Sequence, residues 1–296
     1  MKERSLVAFT LVGQTAVGMF WGLALVSRRV PDGDVWVRGP TLVVGGLLLV
    51  AGLAALFHLG APRNAWRAVS NLGSSWLSRE VALTGLFVAG WVVVTIMRDV
   101  VPGEGPAAAA RSGAASAATV DLATALTALA GAGLVYAMAR VYQLRTVPIW
   151  DTRLTPLWFF VTALSLGAPA AALSLSLSTS DGGVGSAEAL RALVAVGIAS
   201  IIMDLVAETG WRVTKRVAAI RVDAGLNPPT KDLTTPWRVG LMWAGLAASI
   251  MAWLAAAGDP ASPVFAAAIG LALAAVAVAE VLGRARFYGS YVRSGL

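Results

Sequence analysis

The chain has no cysteine and a single histidine, His58, in 296 residues. Without thiolates it can build neither an internal iron–sulfur cluster nor a thiolate zinc site, and one imidazole cannot hold a b-type haem between two histidines. Charge is also scarce. Only 13% of residues are charged, against about 25% in a soluble domain. The deficit runs along the whole sequence, which is 57% hydrophobic with a mean hydropathy of +0.74. That is the composition of a polytopic membrane protein. No Gly-rich phosphate loop, metal-ligand cluster or nucleophile elbow is present, so hydrolase chemistry is a poor fit. The net charge of +7 reports membrane orientation and not a nucleic-acid partner.

What the sequence has is long apolar runs. A helix needs about 20 apolar residues to cross roughly 30 Å. Eight segments meet or approach that length: Leu6–Val26, Thr41–Phe57, Val81–Met97, Val120–Met138, Leu157–Leu177, Ala192–Ala207, Val239–Ala257 and Val264–Gly283. No period-2 barrel pattern appears, so the expected fold is an all-α integral membrane bundle of eight transmembrane helices in one polytopic domain, residues 1–296. The first run is longer than a signal-peptide core and is read as a retained span. Residues Pro102–Ala118, rich in Ala, Ser and Gly, read as a flexible connector. Residues 209–238 read as a long basic loop whose first part continues helically until Asn227-Pro228-Pro229 ends it.

Of the 23 Lys and Arg residues, 17 fall on the side that carries both termini and the loops after the second, fourth and sixth spans. The positive-inside rule then places both termini in the cytoplasm.

His58 and Glu80 flank the same basic-side loop, one ending the second span and the other beginning the third. Between them lie Arg63, Trp66, Arg67, Trp76 and Arg79. Antiparallel neighbours would bring the two ends together. A histidine and a carboxylate at one membrane edge can accept protons from a quinol as its electrons leave, and histidine suits this because its unperturbed pKa of about 6.5 lies near ambient pH. The same pair also reads as an interfacial helix-end histidine and a glutamate favoured by a helix N-terminus. Glu280 and Arg284 are spaced i, i+4 and read as an ion pair. Asp204 and Glu208, also i, i+4, read as a solvated face or a proton route, with the first favoured. Arg140-Val-Tyr142 through Thr155-Pro156-Leu-Trp158 joins two spans with aromatic and basic residues, suited to the interface, to a quinone headgroup or to a docked subunit.

These stretches resemble the membrane-anchor subunits of dimethyl sulfoxide reductase and related molybdoenzymes. The resemblance is carried by His58-Leu-Gly-Ala-Pro-Arg63 through Leu77-Ser-Arg-Glu80, by Arg140-Val-Tyr142 through Thr155-Pro156, by Glu280-Val-Leu-Gly-Arg284 through Phe287-Tyr288-Gly289, and by Phe9-Thr-Leu-Val-Gly-Gln14. It implies a haem-free subunit that binds menaquinol in a bacterial or archaeal cytoplasmic membrane. Electrons would pass to a four-cluster ferredoxin-like iron–sulfur subunit and on to a molybdopterin catalytic subunit. It places the quinol-site pair on His58 and Glu80, with Arg63, Trp66, Arg140 and Tyr142 as further quinone-binding candidates. A subunit without its own metal must hold its quinol near a partner's cluster, so the partner is expected on the basic face. In enzymes similar to this family the catalytic subunits can lie outside the cytoplasmic membrane, whereas the charge count points inward.

The competing reading is a proton-coupled secondary transporter using Glu80, Asp204, Glu208 and Glu280. Transporters often show inverted repeats and broken mid-membrane helices. Neither is evident here, and the ionisable groups gather near helix ends.

Overall fold

A computed structural model describes the protein except residues 1, 31–35, 59–68, 101–105, 148, 179–185, 222–233 and 290–296. Eight long helices account for most of it. They are α1 (Lys2–Arg29), α2 (Arg38–His58), α3 (Trp76–Val100), α4 (Pro106–Tyr142), α5 (Leu154–Ser178), α6 (Ser186–Arg221), α7 (Thr234–Gly258) and α8 (Pro263–Gly289). Each contains a segment long and apolar enough to cross a bilayer. The all-α, eight-span expectation is met, and the molecule is a multi-pass membrane protein.

Two connectors differ from expectation. The Ala-rich stretch from Pro106 is the first part of α4 and not a flexible linker. Alanine is the best helix former, and a proline at the first helical position costs no hydrogen bond. At the other end of the basic loop, α7 begins at Thr234, so Arg238 lies inside a helix. The expected helical continuation after the sixth span is present, as α6 runs to Arg221.

Helices α1 and α5 form the centre of the bundle. Their backbones nearly touch: a side chain on Gly18 would overlap the carbonyl of Ala163, and one on Gly167 would overlap the backbone of Gly18. Close approach through small residues is the usual route to tight packing in lipid, where tails compete equally for apolar faces. Phe20 of α1 meets Phe87 of α3 edge-on at 5.6 Å, and Trp21 stacks on Phe160 of α5 at 6.1 Å.

Helices α2 and α3 lie at the periphery, with most of their apolar residues exposed to the lipid. At one end they are tied together. Trp91 of α3 fills the space left by Gly45 of α2, and its Nε1 donates to the carbonyl of Thr41 at 2.9 Å. The opposite ends of these helices carry His58 and Glu80. Because the helices alternate in direction, the end of α2 and the start of α3 share one end of the bundle with the start of α1, the end of α4, the start of α5, the end of α6, the start of α7 and the end of α8. This is the basic end.

Candidate functional site

Three groups of side chains gather at the basic end. The first surrounds Glu80. It is one turn into α3, 6% exposed, and packed where α3 lies against α4. Its carboxyl group has no hydrogen-bond or ion-pair partner among the described residues. It lies within electrostatic reach of the Tyr142 hydroxyl at the end of α4. Nearby, the Trp76 ring meets the Tyr136 ring edge-on at 5.6 Å. Two guanidiniums also contact the Trp76 ring, Arg79 at 4.3 Å and Arg140 at 4.9 Å from its centroid. Arg140 Nη1 donates to Gln143 Oε1 at 3.1 Å.

The structure therefore brings Glu80, Arg140 and Tyr142 to one end of the α3–α4 pair. His58 is the last residue of α2, at the same end of the bundle, though its side chain lies outside the described residues. Arg63 and Trp66 lie outside them altogether.

The second group is aromatic. Tyr142 is buried at the centre of a cluster, 5.9 Å from Trp150, 5.8 Å from Phe159 and Phe287, and 5.2 Å from Tyr288 between ring centroids. Trp150 Nε1 donates to the Phe287 carbonyl at 2.9 Å, which ties the α4–α5 connector to the end of α8. The hydroxyls of Tyr288 and Thr10 lie 3.3 Å apart, which ties α8 to α1. Tyr142 is thus a keystone of helix packing as well as a neighbour of Glu80.

The third group is ionic and centres on Arg238 of α7, which is 1% exposed. Its Nη2 donates to Asp204 Oδ2 at 2.6 Å and to Glu280 Oε1 at 3.4 Å, and its Nη1 to Glu208 Oε2 at 2.7 Å. Trp158 Nε1 also donates to Asp204, and Arg286 to Glu208. Thr162 Oγ1 donates to Glu280 Oε2 at 2.8 Å. One cation therefore joins two carboxylates of α6 and one of α8. A cavity of about 10 Å³ lies among Trp158, Thr162, Arg238, Glu280 and Arg284, which is room for about one water.

This cluster corrects two expectations. Glu280 and Arg284 do not form an i, i+4 pair among the described residues. Glu280 turns to Arg238, while Arg284 Nη2 donates to Gln14 Oε1 at 2.8 Å and its guanidinium lies 3.7 Å over the Phe159 ring. Asp204 and Glu208 are not a solvated face, since both are buried and ion-paired. In an apolar slab, a carboxylate gains more from a desolvated guanidinium fork than from partial exposure at the rim. Sequence reasoning misses Arg238 because it reads as one more loop charge. Its signal is the pair of acids one turn apart in a span, which requires a countercharge. Arg212, one turn further along α6, also pairs with Glu208, its Nε donating to Oε1 at 3.3 Å.

Over residues 1–290 the sequence matches the family described as DMSO reductase anchor subunit (DmsC). The protein belongs to that family. An anaerobic dimethyl sulfoxide reductase polypeptide of Escherichia coli strain K12 is 29% identical over 310 residues, which span 99% of the present sequence and 96% of the relative. A polypeptide of the same description from Haemophilus influenzae is 25% identical over 300 residues, with the same two coverages. A shorter match, 43% identical over 68 residues, joins 23% of the present sequence to 21% of a sulfite dehydrogenase polypeptide of Allochromatium vinosum. As a member of the anchor family, the protein serves as the membrane anchor of a molybdoenzyme complex. Its eight spans supply the membrane part of that role.

Proposed function

We propose that this anchor subunit oxidises menaquinol at the edge formed by the end of α2 and the start of α3, and passes the electrons to an iron–sulfur partner. The observation that carries this reading is the Glu80 carboxyl group. The four buried carboxylates among the described residues divide sharply: Asp204, Glu208 and Glu280 are held by arginines, and Glu80 is held by none. A buried carboxyl group without a partner is costly unless something else uses it.

The chemistry fits a quinol. Its oxidation releases two electrons and two protons, and the anchor's task is to receive the protons while the electrons leave for a partner. Glu80 is placed to accept one proton at the membrane edge. His58, at the end of the adjacent helix, is the candidate acceptor for the second. Arg63, Trp66, Arg140 and Tyr142 are the proposed contacts of the quinone ring. The electrons need a partner cofactor, because the anchor has no cysteine and one histidine. A four-cluster ferredoxin-like subunit feeding a molybdopterin subunit would supply it, in a bacterial or archaeal cytoplasmic membrane with both termini of the anchor inside.

The ionic cluster weighs against the transporter reading. Three of the four carboxylates on which that reading relies are locked to Arg238 at one end of the bundle.

The test is steady-state quinol oxidation by the assembled complex. His58→Ala and Glu80→Gln should each lower it strongly while the complex still purifies intact. Unchanged turnover in both variants would remove the assignment.

A further inference from the structure

Helices α2 and α3 touch near one end and part towards the other. At the tied end Thr41 is buried, and a side chain on Gly45 would overlap the Trp91 ring. Gly52 lies seven residues further along α2, nearly two turns, and so faces the same way as Gly45. A side chain added at Gly52 would meet nothing within 4 Å. Leu49 and Leu56 each follow one of these glycines by a turn on that flank, and they are 65% and 50% exposed. Had α3 stayed against α2, both leucines would be covered. The helices therefore diverge from Gly45 towards the basic end, where α2 ends at His58, about 20 Å further along its axis.

The facing flank of α3 is the second wall of this cleft. Thr84 and Glu80 lie seven and eleven residues before Trp91, close to whole turns, so all three share one flank. Leu77 and Val81 border it on the lipid side and are exposed. On its inner side Phe87 packs against Phe20 of α1, which closes the cleft off from the centre of the bundle. The polar groups along the flank are not equivalent. Trp91 Nε1 is bonded to the Thr41 carbonyl, and the Thr84 hydroxyl donates to the Glu80 carbonyl at 2.8 Å. The buried Glu80 carboxyl group has no partner among the described residues. An apolar cleft open to the lipid thus runs down to one buried, unpartnered acid.

We infer that the cleft between α2 and α3 is the lateral entrance and tail site of the quinol. The apolar tail lies between Leu49, Gly52 and Leu56 on one side and Leu77 and Val81 on the other, and the ring reaches Glu80 from the lipid. The occupant follows from what stands at the end of the cleft. A phospholipid chain would fit the apolar walls, but it would bring an anionic phosphate towards a carboxyl group. A quinol brings a neutral hydroxyl that can bond to that group, and it satisfies a buried acid that is otherwise costly. The inference rests on the proposed quinol oxidation and adds the route and the part of the molecule that α2 recognises.

The experiment compares two substrates of the assembled complex in detergent, a quinol with a polyprenyl tail and the same quinol ring without one. Gly52→Phe fills the cleft, so the ratio of kcat/KM for the tailed to the tailless quinol should fall roughly tenfold or more, the scale of one overpacked contact. Val81→Trp should lower the ratio from the opposite wall, and it serves if Gly52→Phe does not assemble. Gly46→Phe is the control. An added Cβ at Gly46 also meets nothing within 4 Å, but it points away from the Gly45 flank, and the ratio should stay at the wild-type value. Glu80→Gln in parallel separates the two readings, since it should slow both quinols alike and leave the ratio unchanged. If Glu80→Gln leaves both rates unchanged while the cleft variants still lower the ratio, the tail site stands and the role of Glu80 falls. A wild-type ratio in both cleft variants would overturn the inference. So would equal losses for the two quinols, because the substitutions would then act on the ring or on helix packing. A quinone with a photoreactive tail should label α2 and α3, and excess tailed quinone should suppress the labelling. Suppression by phospholipid alone would make a lipid chain the occupant and would also overturn the inference.

Discussion

The Arg238 guanidinium lies in the space that a side chain on Gly283 would occupy. A Cβ added at Gly283 would sit 2.7 Å from Arg238 Nε, closer than atoms of the two groups can approach. The bare backbone of α8 thus lets a long cation from α7 enter the bundle and reach carboxylates on both α6 and α8. One absent methyl group on α8 lets Arg238 join carboxylates of two helices other than its own.

Gly283→Ala should therefore shift Arg238 and cost about 1–3 kcal/mol, the usual range for overpacking. Unfolding of the purified anchor in detergent measures it. A midpoint unchanged from wild type would show that Arg238 has other room.

Arg238→Met should cost more, about 3–5 kcal/mol, because Asp204 and Glu280 lose the one arginine that holds them among the described residues, while Glu208 keeps Arg286 and Arg212. Adding Asp204→Asn and Glu280→Gln should recover much of that loss by removing the stranded charges. A triple variant no more stable than Arg238→Met would contradict the electrostatic origin of the loss.

The contact of α1 with α5 depends on two glycines. Gly167→Val should force the helices apart at Gly18 and cost about 1–3 kcal/mol or more. Reduced yield of folded anchor and a lower unfolding midpoint are the expected readouts. The same substitution at Gly46, where an added Cβ meets nothing within 4 Å, is the matched control and should be neutral.

Trp91→Phe keeps a ring against Gly45 and removes the bond to the Thr41 carbonyl. Interhelical hydrogen bonds in membranes are worth on average about 0.6 kcal/mol and at most about 1.7. The expected loss lies in that range. Crosslinking between cysteines introduced on α2 and α3 at the tied end should fall in the variant.

The eight spans are legible because each is a long apolar run, and a run of that length has one outcome in lipid. Helix ends are less legible. The stretch from Pro106 is too weakly apolar to register as a span, yet alanine propensity continues α4 through it. Arg238 is hidden for a related reason: counted with the loop that precedes it, it looks like topology and not structure. Pairing over 30 to 42 residues, from Asp204 and Glu208 to Arg238 to Glu280, has no local signature. By contrast, the i, i+4 spacing of Glu280 and Arg284 suggests a pair that tertiary partners override. Glu80 is legible as a charge at a helix start facing the His58 loop. Its lack of a partner among the described residues is not, because that depends on where the arginines go.

Glu80 is the proposed acceptor of a proton from the quinol. The most direct measurement is single-turnover reduction of the iron–sulfur partner by a menaquinol analogue in the assembled complex, compared with reduction by a soluble chemical donor. In Glu80→Gln the quinol-driven rate should fall by about 10²–10⁴-fold, the range for a positioned proton acceptor, while the soluble donor reduces the partner at the wild-type rate. A quinol-driven rate within about twofold of wild type would contradict the account, since a positioned proton acceptor contributes far more than that.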